Sequence, residues 1–414
     1  MDKIRKQILN CNSMIKLQVF LSLLNVLLIY PLSAQSKDKV TEIDMIKLDF
    51  EVLSAKKSQV ASNEPIIIEA YKQLLTEANK ALKFKAVSVV NKKQVPPSGN
   101  KHDYMSIGPY WWPDSTKASG VPYVRKDGVV NPEVKNYPDK ENMPVLCENI
   151  YILSIAYYFS EDEKYAKHAL NLMKVWFLDP ATRMNPNLNY GQAIKGITDG
   201  RAEGIIEARH FIFLLDGIQL LKQSKHFDEK EYTALKDWFK EFLSWLRTSQ
   251  IGQDEGAADN NHGVWYDALC LSISNFIGDD RLSKVIIQNA ADRLDTQMDD
   301  RGLFPHELTR TISLHYTIFV LDAFYTIAQL SEEANFDFWH METTSKKSFK
   351  KGYQTVLPYF SGAKVWEWPQ IKPFTMSNAN YILSKAISKY NCAECGELIN
   401  KHSHQHQKLL LNLL

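Results

Sequence analysis

The chain has 414 residues, 45% of them hydrophobic and 11% aromatic, which is enough apolar material for a large core. No low-complexity tract argues for disorder. A formal net charge of +1 excludes the global basic field that nucleic acid requires, so an anionic partner must be met by a local cluster of charges.

The first 34 residues read as an export signal. Lys3, Arg5, Lys6 and Lys16 make a basic start, Leu17 to Leu32 is an apolar run, and Leu32-Ser33-Ala34 offers a small residue for cleavage before Gln35. The segment from Met14 looks complete by itself; an uncleaved anchor is the alternative. Cys11 has no lipoprotein context, because Leu9-Asn10 precedes it in place of small residues. Losing residues 1–34 moves the net charge from +1 to −2. No later segment is long and apolar enough to span a bilayer. The expected product is periplasmic or secreted, monomeric, and without stable membrane insertion.

Helical periodicity dominates the chain beyond residue 60. Pro65 to Leu82 places Ile66, Ile67, Ala70, Leu74, Leu75, Ala78 and Leu82 close to a 3.6-residue repeat, with proline in the first turn. Similar segments fall at about 144–159, 162–178, 203–223, 229–247, 263–276, 281–298, 313–330, 346–358 and 376–390. Short connections such as Gly278-Asp279-Asp280 imply antiparallel helix hairpins. With no strict sequence period, a regular solenoid is disfavoured, and an all-α toroid, an incomplete (α/α) barrel, is the expected fold.

Two stretches break the pattern. Residues 84–143, with Tyr104, Tyr110, Trp111, Trp112 and Tyr123, read as a long lid loop whose one hairpin signal is Lys126-Asp127-Gly128. Residues 179–200 form the second. Residues 35–390 are therefore expected to be a single domain, with 391–414 a tail. In that tail Cys392 and Cys395 precede His402, His404 and His406. Zinc is conceivable there, but a local disulfide or a dispensable tail is preferred. Cys147 and Cys270 sit in apolar helical contexts as buried thiols.

Three stretches concentrate chemistry. Asp259-Asn260-Asn261-His262 opens a helix, where capping is the plain role but the positive dipole end also favours an anion. Phe304 to Tyr316 holds His306, Glu307, Arg310, His315 and Tyr316. On one uninterrupted helix Arg310 and Tyr316 would lie about 240° apart. For both to serve one substrate, Arg310 must sit in an irregular lead-in and the helix must begin near Thr311 to Ser313. Tyr104 to Asp114 carries tandem tryptophan in a Gly/Pro loop, suited either to stacking on sugar rings or to plugging a core.

Together with Pro186-Asn187-Leu188-Asn189-Tyr190-Gly191-Gln192 and Gly200-Arg201, these stretches resemble the alginate lyase superfamily of helical-toroid polysaccharide lyases. The resemblance is strongest to alginate and glucuronan lyases of polysaccharide lyase family 38, and covers roughly residues 60–375. It implies an (α/α) toroid, no cofactor and no catalytic metal, an anionic polyuronate as partner, and catalytic roles on Asn261, His262, Arg310 and Tyr316. Tyr104, Trp111, Trp112, Tyr190, Gln192, Arg201, Asn260 and His315 are the candidate substrate-binding set. Glu203 is a candidate to orient Arg201, and His315, 100° round the helix from Tyr316, is a supporting residue. The CxxC and the His-rich tail lie outside the family pattern.

These residue types suit β-elimination from a uronate. Removing the C5 proton places negative charge beside an existing carboxylate, which an amide, an imidazolium and a guanidinium can offset by hydrogen bonding. Tyr316, ordinarily titrating near about 10, can serve as acid and base in turn, or as acid with His262 as base. Glucuronan is the alternative polymer. A toroid glycoside hydrolase using a carboxyl pair from Asp199, Glu203, Asp254 and Asp259 is the competing enzyme class. A non-enzymatic sugar-binding protein is the third reading.

Overall fold

Polar caps and apolar faces together explain where the helices lie. In the computed structural model, which describes residue 43 and residues 45–402, several of the helices open on Asp, Asn or Ser caps. Asp49, Asp162, Asp228, Asn260, Asp279 and Ser348 each accept a hydrogen bond from a backbone N–H in the first turn they precede. The predicted export signal lies outside the described residues.

The helices are α1 (Phe50–Ala61), α2 (Pro65–Ala81), α3 (Asp139–Ser160), α4 (Glu163–Met173), α5 (Phe211–Leu221), α6 (Glu229–Thr248), α7 (Gln250–Gly256), α8 (Asn261–Ile277), α9 (Asp280–Gln297), α10 (Pro305–Leu308), α11 (Ser313–Leu330), α12 (Phe349–Ser361), α13 (Asn380–Tyr390) and α14 (Ala393–His402). Two kinds alternate. The C-terminal half of α3, and most of α5, α8 and α11, are buried on nearly every side. By contrast α2, α4, α6 and α9 bury one stripe and expose the other. The buried helices pack in sequence, α3 on α5, α5 on α8 and α8 on α11, with the amphipathic ones outside them. This is an incomplete (α/α) toroid with an inner and an outer ring.

Aromatic side chains bind the two rings of helices together. Phe211 of inner α5 meets Trp238, Phe239 and Phe242 of outer α6 edge-on, with centroids 5.9, 5.7 and 5.7 Å apart. Truncating a residue such as Phe211 to alanine should cost roughly 3–5 kcal/mol. Inside the ring is a cavity of about 620 Å³, with Tyr151, Phe213, Trp265 and Phe319 in its walls and Arg209 and Asp322 among its polar lining.

Several boundaries differ from expectation for identifiable reasons. The α3 helix starts at Asp139, ahead of Pro144, the position at which a proline-first reading begins it. The segment predicted over 203–223 divides into a 3₁₀ stretch, Ala202–His210, and α5, while that over 162–178 ends in a π turn, Lys174–Leu178. The supposed tail is partly core. Cys395 and Leu398 of α14 are buried, and Cys392 and Cys395 form a disulfide, the preferred reading of the CxxC. His404 and His406 lie outside the described residues.

The lid loop is more ordered than its sequence suggests. β1 (Met105–Ile107) pairs parallel with β4 (Tyr190–Ala193), tying the two irregular stretches to each other. β2 (Trp111–Trp112) pairs antiparallel with β3 (Val124–Arg125). The Lys126-Asp127-Gly128 turn therefore comes after the hairpin; it does not close it. At the base of the lid, the Lys92 ammonium sits 3.0 Å from Asp139 with both side chains fully buried. The same ammonium donates to the carbonyls of Val89 and Lys101, giving the buried charge the extra partners it requires.

Candidate active site

The site forms where two inner helices begin. Asn260 caps α8 by accepting from the backbone N–H of His262 at 2.9 Å. His262, the second residue of that helix, gives Nδ1 to Glu255 Oε1 at 2.7 Å; Glu255 is buried on α7. The carboxylate partner assigns the proton to Nδ1, so Nε2 is the nitrogen left for a substrate. Burial pushes the Glu255 carboxyl up, against the pull of His262.

The neighbouring start, α11, meets the geometric condition set by its sequence. One-turn α10 ends at Leu308, Arg310 lies in a bend, and the regular helix begins at Ser313. Arg310 thus folds back over Tyr316, with its guanidinium carbon 3.6 Å from the ring centroid. The Nε–Nη2 edge of that fork is held by Asp127, through Nε at 3.1 Å and Nη2 at 2.7 Å. Asp127 also accepts from the backbone N–H and the hydroxyl of Thr311. Burial pushes its carboxyl up, but the Arg310 and Thr311 donors outweigh that and hold it well below the usual range. Gly128 makes the approach possible: its φ is +73°, and a Cβ there would stand 2.6 Å from Thr311 Oγ1.

Tyr316 is half-buried, and its hydroxyl lies 3.1 Å from that of Tyr110. Burial raises its pKa; Arg310 pulls the other way and loses. Burial thus works against phenolate formation at Tyr316, and Arg310 works for it.

Glu307 joins the two starts. It is 1% exposed, and its carboxylate accepts from Asn261 N at 2.6 Å and from Asn261 Nδ2 at 3.0 and 2.9 Å. Both Arg310 and His262 lie within Coulombic reach of it. His262 and Tyr316 therefore belong to one locality. One helical turn further along each helix, Trp265 and Phe319 meet at 5.1 Å with their rings tilted by 38°, and line the ring's cavity.

Three placements differ from the sequence expectation. Asn261 is fully buried and its Nδ2 is given to Glu307, so it stands behind the site and does not face a substrate carboxylate. Tyr104 is also fully buried, its hydroxyl donating to Glu207 at 2.7 Å; it plugs the core under the lid. Gln192 is 6% exposed and accepts from Arg201 Nη2 at 2.7 Å, so it orients Arg201.

Arg201 also donates to the Gln192 carbonyl and to Glu203, and its guanidinium carbon lies 5.9 Å from the Trp111 ring. Trp111 and Tyr190 are partly exposed beside it. Trp112 turns its indole N–H to the Val129 carbonyl and stacks under Lys126. His315 is exposed, next to Phe374 and Asn378. Four residues absent from the expected set, Tyr110, Asp127, Glu255 and Glu307, supply the closest partners of those within it. Tyr110 and Glu307 lay inside two of the chemistry-bearing stretches, and Asp127 only in the Lys126-Asp127-Gly128 turn signal. Among the described residues, no cluster of three His, Cys, Asp or Glu could hold a metal ion, and no helix is long and apolar enough to cross a membrane.

Comparison with known proteins agrees with this architecture. The family model described as alginate lyase matches residues 88–366. The crystal structure of an alginate lyase from Bacteroides ovatus superposes with a TM-score of 0.85 at 33% identity, covering 90% of this chain and 100% of that one. Alginate lyase A1-III from Sphingomonas species A1 gives a TM-score of 0.50 at 16% identity, over 78% of this chain and 88% of that one. A histidine variant of A1-III complexed with tetrasaccharide gives 0.55 at 16% identity, over 83% and 88%. These last two speak to the fold alone. No curated protein sequence matches. The fold and its rim define a toroid polysaccharide lyase. The chain belongs to the alginate lyase family, and the competing hydrolase and binding-protein readings fall with that membership.

Proposed function

We propose that this lyase cleaves a polyuronate, with alginate as the expected polymer, by β-elimination between His262 and Tyr316. One observation carries the reading: Glu307, just ahead of α11, holds the start of α8 and has within Coulombic reach both the His262 imidazole and the Arg310 guanidinium, which lies over the Tyr316 ring. The alginate-lyase neighbour from Bacteroides ovatus supports the choice of polymer.

In this reading Nε2 of His262 takes the C5 proton, its Nδ1 proton being held by Glu255. The C5–H electron pair becomes the C4–C5 double bond as the C4–O4 bond breaks. Tyr316, kept protonated by burial, gives its proton to the departing O4. Where proton and leaving group share one face of the ring, Tyr316 must first release its phenolic proton to solvent; as phenolate it takes the C5 proton and returns it to O4 as the C4–O4 bond breaks. Arg310 and the protonated form of His262 offset charge that develops on the C5 carboxylate. Asn261 acts through its neighbours, holding Glu307 in place.

The product carries a conjugated double bond, so incubation with a panel of polyuronates, monitored by ultraviolet absorbance and product size, tests the activity. Alginate should give the strongest signal; strong cleavage of glucuronan in its place would reassign the polymer. Tyr316→Phe should lose at least ~10³-fold in turnover while still binding polymer. Retained turnover in that variant overturns the assignment.

A further inference from the structure

Beside the candidate active site runs a groove of about 740 Å³ that the chemistry above does not use. It lies between α12, the loop before α10 and the segment after α12. Its lining includes three cations, Arg301, Lys351 and Lys364, against a single acid, Glu367, with Tyr359 and Trp368 as the aromatic surface. Lys364 is exposed, Lys351 half-buried, and neither ammonium has an ion-pair or hydrogen-bond partner among the described residues.

Arg301 is tethered by Asp299 through Nε and Nη2, which leaves Nη1 without a partner. Its guanidinium carbon lies 5.7 Å from the Trp368 ring centroid. Trp368 in turn packs on Trp366 at 4.7 Å, and Trp366 donates its indole N–H to Ser313 Oγ. The aromatic surface is thus braced from behind, not loosely draped.

Position links the groove to the site. Pro369 O accepts from Ser313 N, and Ile371 N donates to Thr311 O, so the segment leaving Trp368 runs along the residues just after Arg310. Arg301 stands at the other end of the same short segment, ahead of α10. The Trp368 end of the groove is thus joined by backbone hydrogen bonds to the residues that follow Arg310.

From this geometry we infer that the groove is a second binding site for an anionic polysaccharide. Uronate carboxylates meet Lys351, Lys364 and Arg301, and a pyranose face rests on Trp368. It holds the polymer on the enzyme outside the reacting sugars. The class of ligand rests on the polyuronate reading above.

Affinity electrophoresis of the full chain in gels cast with alginate tests it, on a Tyr316→Phe background to keep the polymer intact. The background protein should be retarded by alginate and far less by a neutral glucan, and the retardation should weaken with salt. Adding K351E/K364E should reduce affinity at least about five-fold, and Trp368→Ala likewise. In the otherwise intact enzyme, K351E/K364E should leave cleavage of a short oligouronate within about two-fold while lowering kcat/KM on long polymer. No retardation of the background protein, equal retardation of the lysine variant, or equal retardation by neutral glucan would each overturn the groove. If the intact enzyme cleaves no polyuronate, the lyase substrate is wrong, yet the gel still decides whether this groove holds a polyanion.

Discussion

The starts of α8 and α11 face each other but are held by different parts of the molecule. The α8 start is fixed from within: Asn260 caps it, Glu255 takes His262, and Glu307 takes Asn261, all from the helical ring and its short neighbours. The α11 start is fixed from above. Asp127 and Tyr110, both from the lid, hold Arg310 and Tyr316. One half of the site is therefore part of the core, and the other draws the partners of Arg310 and Tyr316 from the lid. Base and acid can be perturbed separately.

The largest effect should come from the residue common to both halves. Glu307→Ala leaves the Asn261 N–H and amide without their acceptor in a fully buried place, at a cost of roughly 3 kcal/mol. Thermal melts should show that loss, and turnover should fall along with it. A variant as stable as the parent would remove Glu307 as the link between the two starts.

Breaking the lid's half alone should do less. Asp127→Asn weakens the latch on Arg310 by roughly 2 kcal/mol and should lower turnover more than it lowers polymer binding. The sign of its pH dependence comes from the depressed carboxyl. The ionised latch contributes stability above the ordinary carboxylate range, near about 4, and loses it as pH falls through the lower folded value. Melts at pH 7 and in acid should show the gap between parent and variant closing only in the acid range. A gap that does not change down to strong acid would mean that Asp127 is not the charge holding Arg310.

The smallest effect concerns tuning. Arg310 pulls the Tyr316 phenol down against burial, so its removal should move the alkaline limb of the kcat–pH profile upward. Comparing Asp127→Asn/Arg310→Gln with Asp127→Asn alone keeps an unpaired carboxylate out of the measurement. A limb that stays in place would assign it to a group other than Tyr316.

Much of the architecture was legible because its physical cause is local. Inner and outer helices announce themselves by apolar spacing, and short capped connections leave antiparallel packing as the way to bury those faces. The break at Arg310 was legible for the same reason, since 100° per residue cannot bring Arg310 and Tyr316 together on one helix. Where backbone geometry is not periodic, legibility failed. Tyr104 and Tyr110 share one Gly/Pro loop, and nothing in their spacing says that the first is core and the second reaches Tyr316. The segment 391–402 reads as a tail because only Cys395 and Leu398 of α14 are buried.

Residue order was enough to define the helical ring, and with the family resemblance it pointed to His262, Arg310 and Tyr316 as candidate groups. Their partners were chosen only by packing: Glu307 for Asn261 lies 46 residues away, and Asp127 for Arg310 lies 183 away. Helical spacing is enforced by covalent geometry within a few residues, whereas a carboxylate's choice of donor depends on which distant segments the packed core brings within hydrogen-bond range.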